Sequence, residues 1–365
     1  MNKNMKPPGA RPAGKGRNVT IKDLAAELGL SITTISRALN GYSDVGEKTR
    51  KRVAETAQQM GYRPNRNAQR LVTRRTHNIA WVQADNDRKF VDPHFVEVMA
   101  GVLRGARAGN YDVVLTSDTP EHELAVYDRY VNDNSVDGFI VDLPREGDHR
   151  ISYLLDVARP FVVHGRDARS GEYGWVDIDN YGNFYRLTRL MIANGHRHIA
   201  FVNGDEHFTY ALYRRRGAVD ALIDAGLSPA NLKVLNSLHP MGEAGFKLTS
   251  LALADPRVTA ILYSSTIMAV EGQPAIQRLG GDRKLAIATM DDQLHYLDLS
   301  PFTGQFTFIR SSLRDAGAAL MAELIRQCEK GGPGKGHLVP STFHVAPGMD
   351  AGGLAEPLPA GRTQT

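Results

Sequence analysis

The chain has 365 residues, 42% of them hydrophobic, and a formal net charge of +4, which allows two or three domains with buried cores. Its single cysteine, Cys328, excludes an intramolecular disulfide framework and is compatible with a reducing compartment, and no apolar run reaches membrane-spanning length. The charge is uneven: residues 1–76 hold 16 Lys and Arg against 5 Asp and Glu, a net of +11, so residues 77–365 carry −7. A phosphate-neutralising module joined to a domain without that task has this asymmetry.

Residues 1–18, MNKNMKPPGARPAGKGRN, are basic and rich in Pro and Gly but contain no apolar h-region. They are expected to form a disordered arm, not a secretory signal. Residues 19–63 read as helix, tight turn, helix, third helix. Thr20 is an N-cap with Asp23 placed to reach back to it. Ile21, Leu24, Ala25 and Leu28 then share one helical face, and Gly29 ends the helix where the chain must turn sharply. Ser31 opens the second helix, whose buried side is Ile35, Ala38 and Leu39, and Asn40-Gly41 closes it. In helix-turn-helix geometry this second helix enters the major groove.

Residues 64–77 follow as a hinge, and Asn65 to Val72 is long enough for only two helical turns, too few to be stable alone in water. From residue 78 onward short apolar strands alternate with helices. Candidate strands are Ile79–Gln83, Asp112–Leu115, Gly138–Val141, Phe161–His164, Ile199–Val202, Ala260–Tyr263 and Ala286–Met290; candidate helices are Phe95–Ala108, Asn180–Asn194, Arg214–Ala225 and Ser312–Cys328. Such alternation implies parallel sheets wrapped by helices, in two lobes. Cys328 lies in the apolar helical run of Leu320, Met321, Leu324 and Ile325 and reads as a packed thiol. Residues 347–365 are Gly- and Pro-rich and read as a flexible tail.

The runs VTIKDLAAELGLSITTISRALNG and EKTRKRVAETAQQMGYRPN resemble the headpiece of the lactose/galactose repressor (LacI/GalR) family. The resemblance implies an all-α helix-turn-helix headpiece plus an α/β periplasmic-binding-protein-like core of two parallel-sheet lobes, spanning residues 78–346. It also implies three chain crossovers, placed here near Val176–Asp179, Gly304–Phe308 and Gly331–Gly336. Ile32, Thr33 and Arg37 match positions that reach base edges, and Arg37 is suited to bidentate contact with a guanine. Thr20, Ser31, Thr34 and Asn40 match backbone-contacting positions. Asn65, Ala68 and Leu71 fall in the family's DNA-folded hinge, with Leu71 at its minor-groove wedge. Asn67 departs from the apolar residue expected there.

For the effector cleft the resemblance picks out Phe95, Arg166, Arg214, Ser265 and Asp291. An arginine fork and a carboxylate suit vicinal sugar hydroxyls. Trp175, Phe208 and Tyr210 lie near the expected cleft mouth. Gly165 and Ser265-Thr266 stand where many relatives have an acidic residue and Asn-Asp, so the hydroxyl pattern differs from the lactose type. PFVVHGRD and YSSTIMAVEG are similar to the branch that regulates alpha-glucoside uptake. The implied function is a cytoplasmic, homodimeric transcriptional regulator, a repressor of a sugar operon, with double-stranded operator DNA and a small sugar as partners and no cofactor. A regulator of a non-sugar metabolite, or one that uses a corepressor, is the alternative, and a sugar-binding protein without gene regulation a remoter one.

An enzyme is not expected. The sequence has no P-loop, no Gly-rich dinucleotide fingerprint after a strand and no nucleophile elbow. Asp291-Asp292 are adjacent, and adjacent carboxylates rarely converge on one substrate. His196-Arg197-His198 sits in a helix-to-strand turn with no second ligand cluster, so no metal is expected.

Overall fold

The structure, a computed structural model, describes residues 19–39, 41–62, 75–84 and 91–354. The expected arm of residues 1–18, Asn40, and the hinge positions Asn65, Ala68 and Leu71 lie outside them. The chain divides into two compact units, Met1–Thr76 and His77–Thr365.

Among the described residues of the first unit the helices are α1 (Ile21–Leu28), α2 (Ile32–Leu39) and α3 (Glu47–Met60). The Thr20–Asp23 capping box closes reciprocally: the Asp23 N–H donates to Thr20 Oγ1 at 3.4 Å, and the Thr20 N–H donates to Asp23 Oδ2 at 2.8 Å. Two orphan donors at the start of α1 are thereby satisfied. Gly29 adopts φ 62°, and its N–H donates to the Ala25 carbonyl, so the turn needs a residue without the left-handed penalty of a side chain. Ser31 Oγ accepts from the Thr34 N–H at 3.0 Å and opens α2. Leu24, Leu28, Ile35, Ala38, Val45, Val53 and Ala57 form the buried core.

The second unit holds two sheets. Lobe 1 contains β1 (Asn78–Ala84), β2 (Asp112–Asp118), β3 (Gly138–Asp142), β4 (Phe161–His164), β5 (Gly174–Asp177) and β11 (Gly336–Leu338), in the order β11-β5-β4-β3-β1-β2. Lobe 2 contains β6 (Ile199–Asn203), β7 (Leu232–Asn236), β8 (Ala260–Tyr263), β9 (Ala286–Asp291), β10 (Phe306–Arg310) and β12 (Thr342–His344), in the order β12-β10-β9-β8-β6-β7. All pairings are parallel except β10 with β12. Central strands such as β3 (GFIVD) and β6 (IAFVN) are buried at every position, as expected where helices cover both faces of a sheet. The helices are α4 (Pro93–Ala108), α5 (Glu123–Asn132), α6 (His149–Asp156), α7 (Asn180–Ala193), α8 (Thr209–Asp224), α9 (Ala244–Leu253), α10 (Thr266–Leu279) and α11 (Leu313–Lys330).

The first crossover follows β5, as expected from the sequence. The other two differ. Phe306–Arg310 is a full strand of the lobe 2 sheet, so the chain returns to lobe 1 after Arg310, between β10 and α11, and not across Gly304–Phe308. The last crossover lies beyond Leu338, between β11 and β12, and not at Gly331–Gly336, because Gly336 already pairs with Trp175. The first described part of the expected flexible tail, residues 347–365, is packed on lobe 2. Met349 packs against the lobe 2 core, and the Asp350 N–H donates to Asn194 Oδ1 at 2.8 Å, so residues 347–354 are docked. Cys328 packs against the lobe 1 core and its thiol donates to the Asp137 carbonyl at 3.4 Å. Among the described residues no helix is long and apolar enough to cross a membrane.

Candidate effector cleft and DNA-reading helix

Between the strand ends of the two lobes lies a cavity of about 240 Å³. Its wall includes Asp92 and His94 from lobe 1, Arg214, Ser265 and Asp292 from lobe 2, and Asp177 and Asn180 on either side of the first crossover. This is the place where open parallel sheets receive ligands.

Arg214 projects from α8. Its Nε donates to Asn180 Oδ1 at 2.8 Å, and one terminal nitrogen donates to the Ser264 carbonyl. The guanidinium lies over the rings of Tyr210 and Phe184, at 5.0 and 5.2 Å from their centroids. Burial holds its pKa below the usual arginine value, against the opposing pull of Asp292, Tyr210 and Asp177. Two bonds and two rings fix the plane of the fork before any ligand arrives, which lowers the ordering cost of binding. Tyr210 and Phe208 stack within 14° of coplanar and both line the cavity; burial pushes the Tyr210 phenol up to about 12.

Asn180 also donates to Asp177 Oδ1 at 2.9 Å, and Asp177 Oδ2 lies 3.3 Å from Arg166 Nε. A relay Arg166–Asp177–Asn180–Arg214 thus straddles the first crossover. Arg166 stands at its outer end, stacked 4.5 Å from the Trp175 ring, and is not part of the cavity wall.

His94 is the centre of a second cluster. Its Nδ1 lies 2.9 Å from Asp92 Oδ1, the N-cap of α4, and its Nε2 lies 3.4 Å from Asp292 Oδ2 across the cleft. Burial alone lowers its pKa, but the hydrogen bonds and charges of Asp292 and Asp92 override that and raise it to about 10. His94 is therefore a fixed cation at neutral pH.

Of the residues picked from sequence, Arg214 and Ser265 line the cavity. Ser265 also caps α10, its Oγ accepting from the Met268 N–H at 3.4 Å. Phe95 faces the lobe 1 core, 5.0 Å from Trp81, and not the cavity. Asp291 ends β9 and accepts from Arg310 Nε at 2.6 Å, while its neighbour Asp292 lines the cavity. Sequence reasoning missed Asp92, His94, Asp177 and Asn180. A DPH tripeptide opening a helix after a strand loop carried a signal for the first two, since Asp is a preferred N-cap.

In the helical unit, Ile32, Thr33 and Arg37 are exposed on α2. Arg37 Nη1 pairs with Asp44 Oδ2 at 2.9 Å, and its guanidinium lies 5.6 Å from the Tyr42 ring centroid. Ser31 is exposed, and Thr20 and Thr34 are half-buried. Ser31 and Thr34 share a 2.8 Å hydroxyl hydrogen bond.

A three-helix reader followed by a two-lobed α/β body with a polar, aromatic-walled cleft defines a ligand-responsive DNA-binding regulator. Two family models match the chain: "Bacterial regulatory proteins, lacI family" over residues 20–65, and "Periplasmic binding proteins and sugar binding domain of LacI family" over residues 76–288. The chain belongs to the lacI family of bacterial regulatory proteins, and is a regulator, not an enzyme. It is 41% identical to the HTH-type transcriptional regulator AglR of Rhizobium meliloti (strain 1021), over 84% of this chain and 87% of that protein. It is 31% identical to the HTH-type transcriptional regulator RafR of Escherichia coli, over 75% of this chain and 82% of that protein. The fold is shared with the lac repressor dimer bound to operator and the anti-inducer ONPF, at TM-score 0.73 and 20% identity, over 90% of this chain and 98% of that one. It is shared too with a transcriptional regulator CelR–cellobiose complex, at TM-score 0.64 and 22% identity, over 90% and 99%.

Proposed function

We propose that this protein is a cytoplasmic repressor of a sugar uptake or catabolism operon, and that an uncharged sugar bound between the lobes sets its operator affinity. The observation that carries the reading is the charge of the cavity wall. Among the described residues it holds four carboxylates, Asp92, Asp177, Asp205 and Asp292, against the cations His94 and Arg214. A phosphorylated or acidic metabolite would enter a net negative site. A neutral sugar instead finds hydroxyl acceptors, an oriented guanidinium and the stacked faces of Phe208 and Tyr210. The alpha-glucoside-like segments PFVVHGRD and YSSTIMAVEG supply His164, Gly165, Ser264 and Ser265 to that wall.

A homodimer would set two α2 helices into successive major grooves of a near-palindromic operator. Ile32, Thr33 and Arg37 would meet base edges there; Thr20, Ser31, Thr34 and Asn40 would hold phosphates, and Asn65, Ala68 and Leu71 would pair in the minor groove. Arg214, Ser265 and Asp292 would contact the sugar. Asp291, Arg166 and Phe95 would support them from behind the wall.

Fluorescence anisotropy on DNA upstream of the protein's own gene, titrated with maltose, sucrose and trehalose, tests this. One of them should release the wild type. Arg214→Ala should bind the DNA equally and lose the response, and Arg37→Ala should lose discrimination between operator and random DNA by about 1–3 kcal/mol per base contact. Tightening by the sugar would make it a corepressor, and indifference to every neutral sugar would exclude the sugar reading.

A further inference from the structure

Beside the cavity, a polar cluster centred on the buried Glu97 joins the two lobes. Glu97 lies on α4, one turn beyond His94 and on the same helical face. It is 5% exposed. Its Oε2 accepts from Arg314 Nε at 2.9 Å, at the start of α11 in lobe 1. Its Oε1 accepts from the backbone N–H of His295 at 3.1 Å, and its Oε2 lies 3.0 Å from His295 Nδ1. His295 belongs to lobe 2, three residues past Asp292 in the loop after β9. The contacts form two rungs of reversed order. His94 of the helix meets Asp292 of the loop, and Glu97 of the helix meets His295 of the loop.

The loop between the rungs is strained. Gln293, which is not glycine, sits at φ 54°, a conformation that persists only where its surroundings hold it. Asp291 pins the near side, accepting from the Gln293 N–H at 2.9 Å. Glu97 pins the far side, and does so from the opposite lobe. Arg314 orients the Glu97 carboxylate whether or not His295 is in place.

We propose that Glu97 is a positioning residue for the cleft: through the His295 backbone and ring it seats the Asp292 loop of lobe 2 on α4 of lobe 1 and latches the lobes together. Its consequence for ligand rests on the cleft being the effector site; the latch itself does not.

The interlobe distance separates the two. In a Cys328→Ser background, spin labels at exposed Asp156 of lobe 1 and Asp282 of lobe 2 report the distance in the sugar-free chain. His295 has a side chain 59% exposed, so substitutions there spare the fold. The parent and His295→Lys, which keeps a donor, should give one narrow distribution. His295→Glu, which sets carboxylate against carboxylate, should give a longer and broader one, and the near-isosteric Glu97→Gln should loosen the lobes in the same direction. Narrow, unshifted distributions in both His295→Glu and Glu97→Gln would overturn the latch. Calorimetry with maltose, sucrose and trehalose then reads the ligand consequence. His295→Glu should bind whichever sugar the wild type binds about tenfold more weakly, through faster release, at an unchanged melting temperature. A wild type that binds none of these sugars would count against the effector reading and leave the distance result to decide the latch.

Discussion

His94 shows how a single side chain can set the chemistry of a cleft. Two carboxylates raise its pKa from 6.5 to about 10, so the folded protein holds this proton more tightly than the unfolded chain. The stability that follows is present in full below about pH 6.5 and fades as pH rises toward 10. Between pH 7 and 10 the melting temperature of the wild type should therefore fall more steeply than that of His94→Gln. Parallel slopes in the two proteins would show that His94 is not held charged. The neighbouring choice between Asp291 and Asp292 explains a limit of sequence reading. Successive residues at a strand end point to opposite sides, so a one-residue difference decides which carboxylate lines the cavity and which bonds to Arg310. Phe95 raises a similar ambiguity. An aromatic just inside a helix can face a ligand or a core, and contact with Trp81 settles it.

At the scale of elements, the packing of α4 on α11 matters most, because α11 is the segment that returns to lobe 1 and carries Arg314. Glycines let the two backbones approach. A Cβ at Gly317 would stand 2.1 Å from the Val98 carbonyl oxygen, and one at Gly101 2.0 Å from that of Arg314. Gly317→Val should destabilise by about 1–3 kcal/mol or more and lower the melting temperature by on the order of 5 °C. Gly304→Ala, where nothing lies within 4 Å, should leave it unchanged; equal effects at both sites would refute the close approach. Elements with long periodic patterns were legible in the sequence: α1, α2, α4, α7, α11 and the apolar central strands. β11 and β12 are only three residues long, too short for alternation to show, and β5, GWVD, lacks the continuous apolar run of the equally short β4 and β8. The pattern of β10, FTFIR, gave no turn signal to distinguish a crossover from a strand, which displaced the second crossover by a few residues.

For the molecule as a whole, the positive charge is concentrated in residues 1–76 and the cleft is lined by an excess of carboxylates. The two binding events should therefore respond differently to salt. Operator affinity should fall steeply between 50 and 200 mM salt, by roughly 10³–10⁵ if six to ten phosphates are contacted, while sugar affinity stays nearly constant. A sugar affinity that tracked ionic strength as steeply would mean a charged effector. On the proposed function one coupling free energy would link operator and effector, so whatever a sugar did to DNA affinity the DNA would do to sugar affinity.

The threading of lobe 1 carries a consequence for how the protein is made. Its sheet begins at β1 but is completed only by β11, and the glycine face of α4 is covered only by α11. On a ribosome adding roughly 5–20 residues per second, α4 emerges on the order of ten seconds or more before the helix that covers it. During that interval lobe 2 can assemble most of its own sheet, while lobe 1 waits with Val98 and Val102, buried in the finished protein, exposed to other nascent chains and to chaperones. The lobe that starts first thus waits longest between its first strand and its last, and a chain cut short before Leu313 lacks the helix that covers the glycine face of α4.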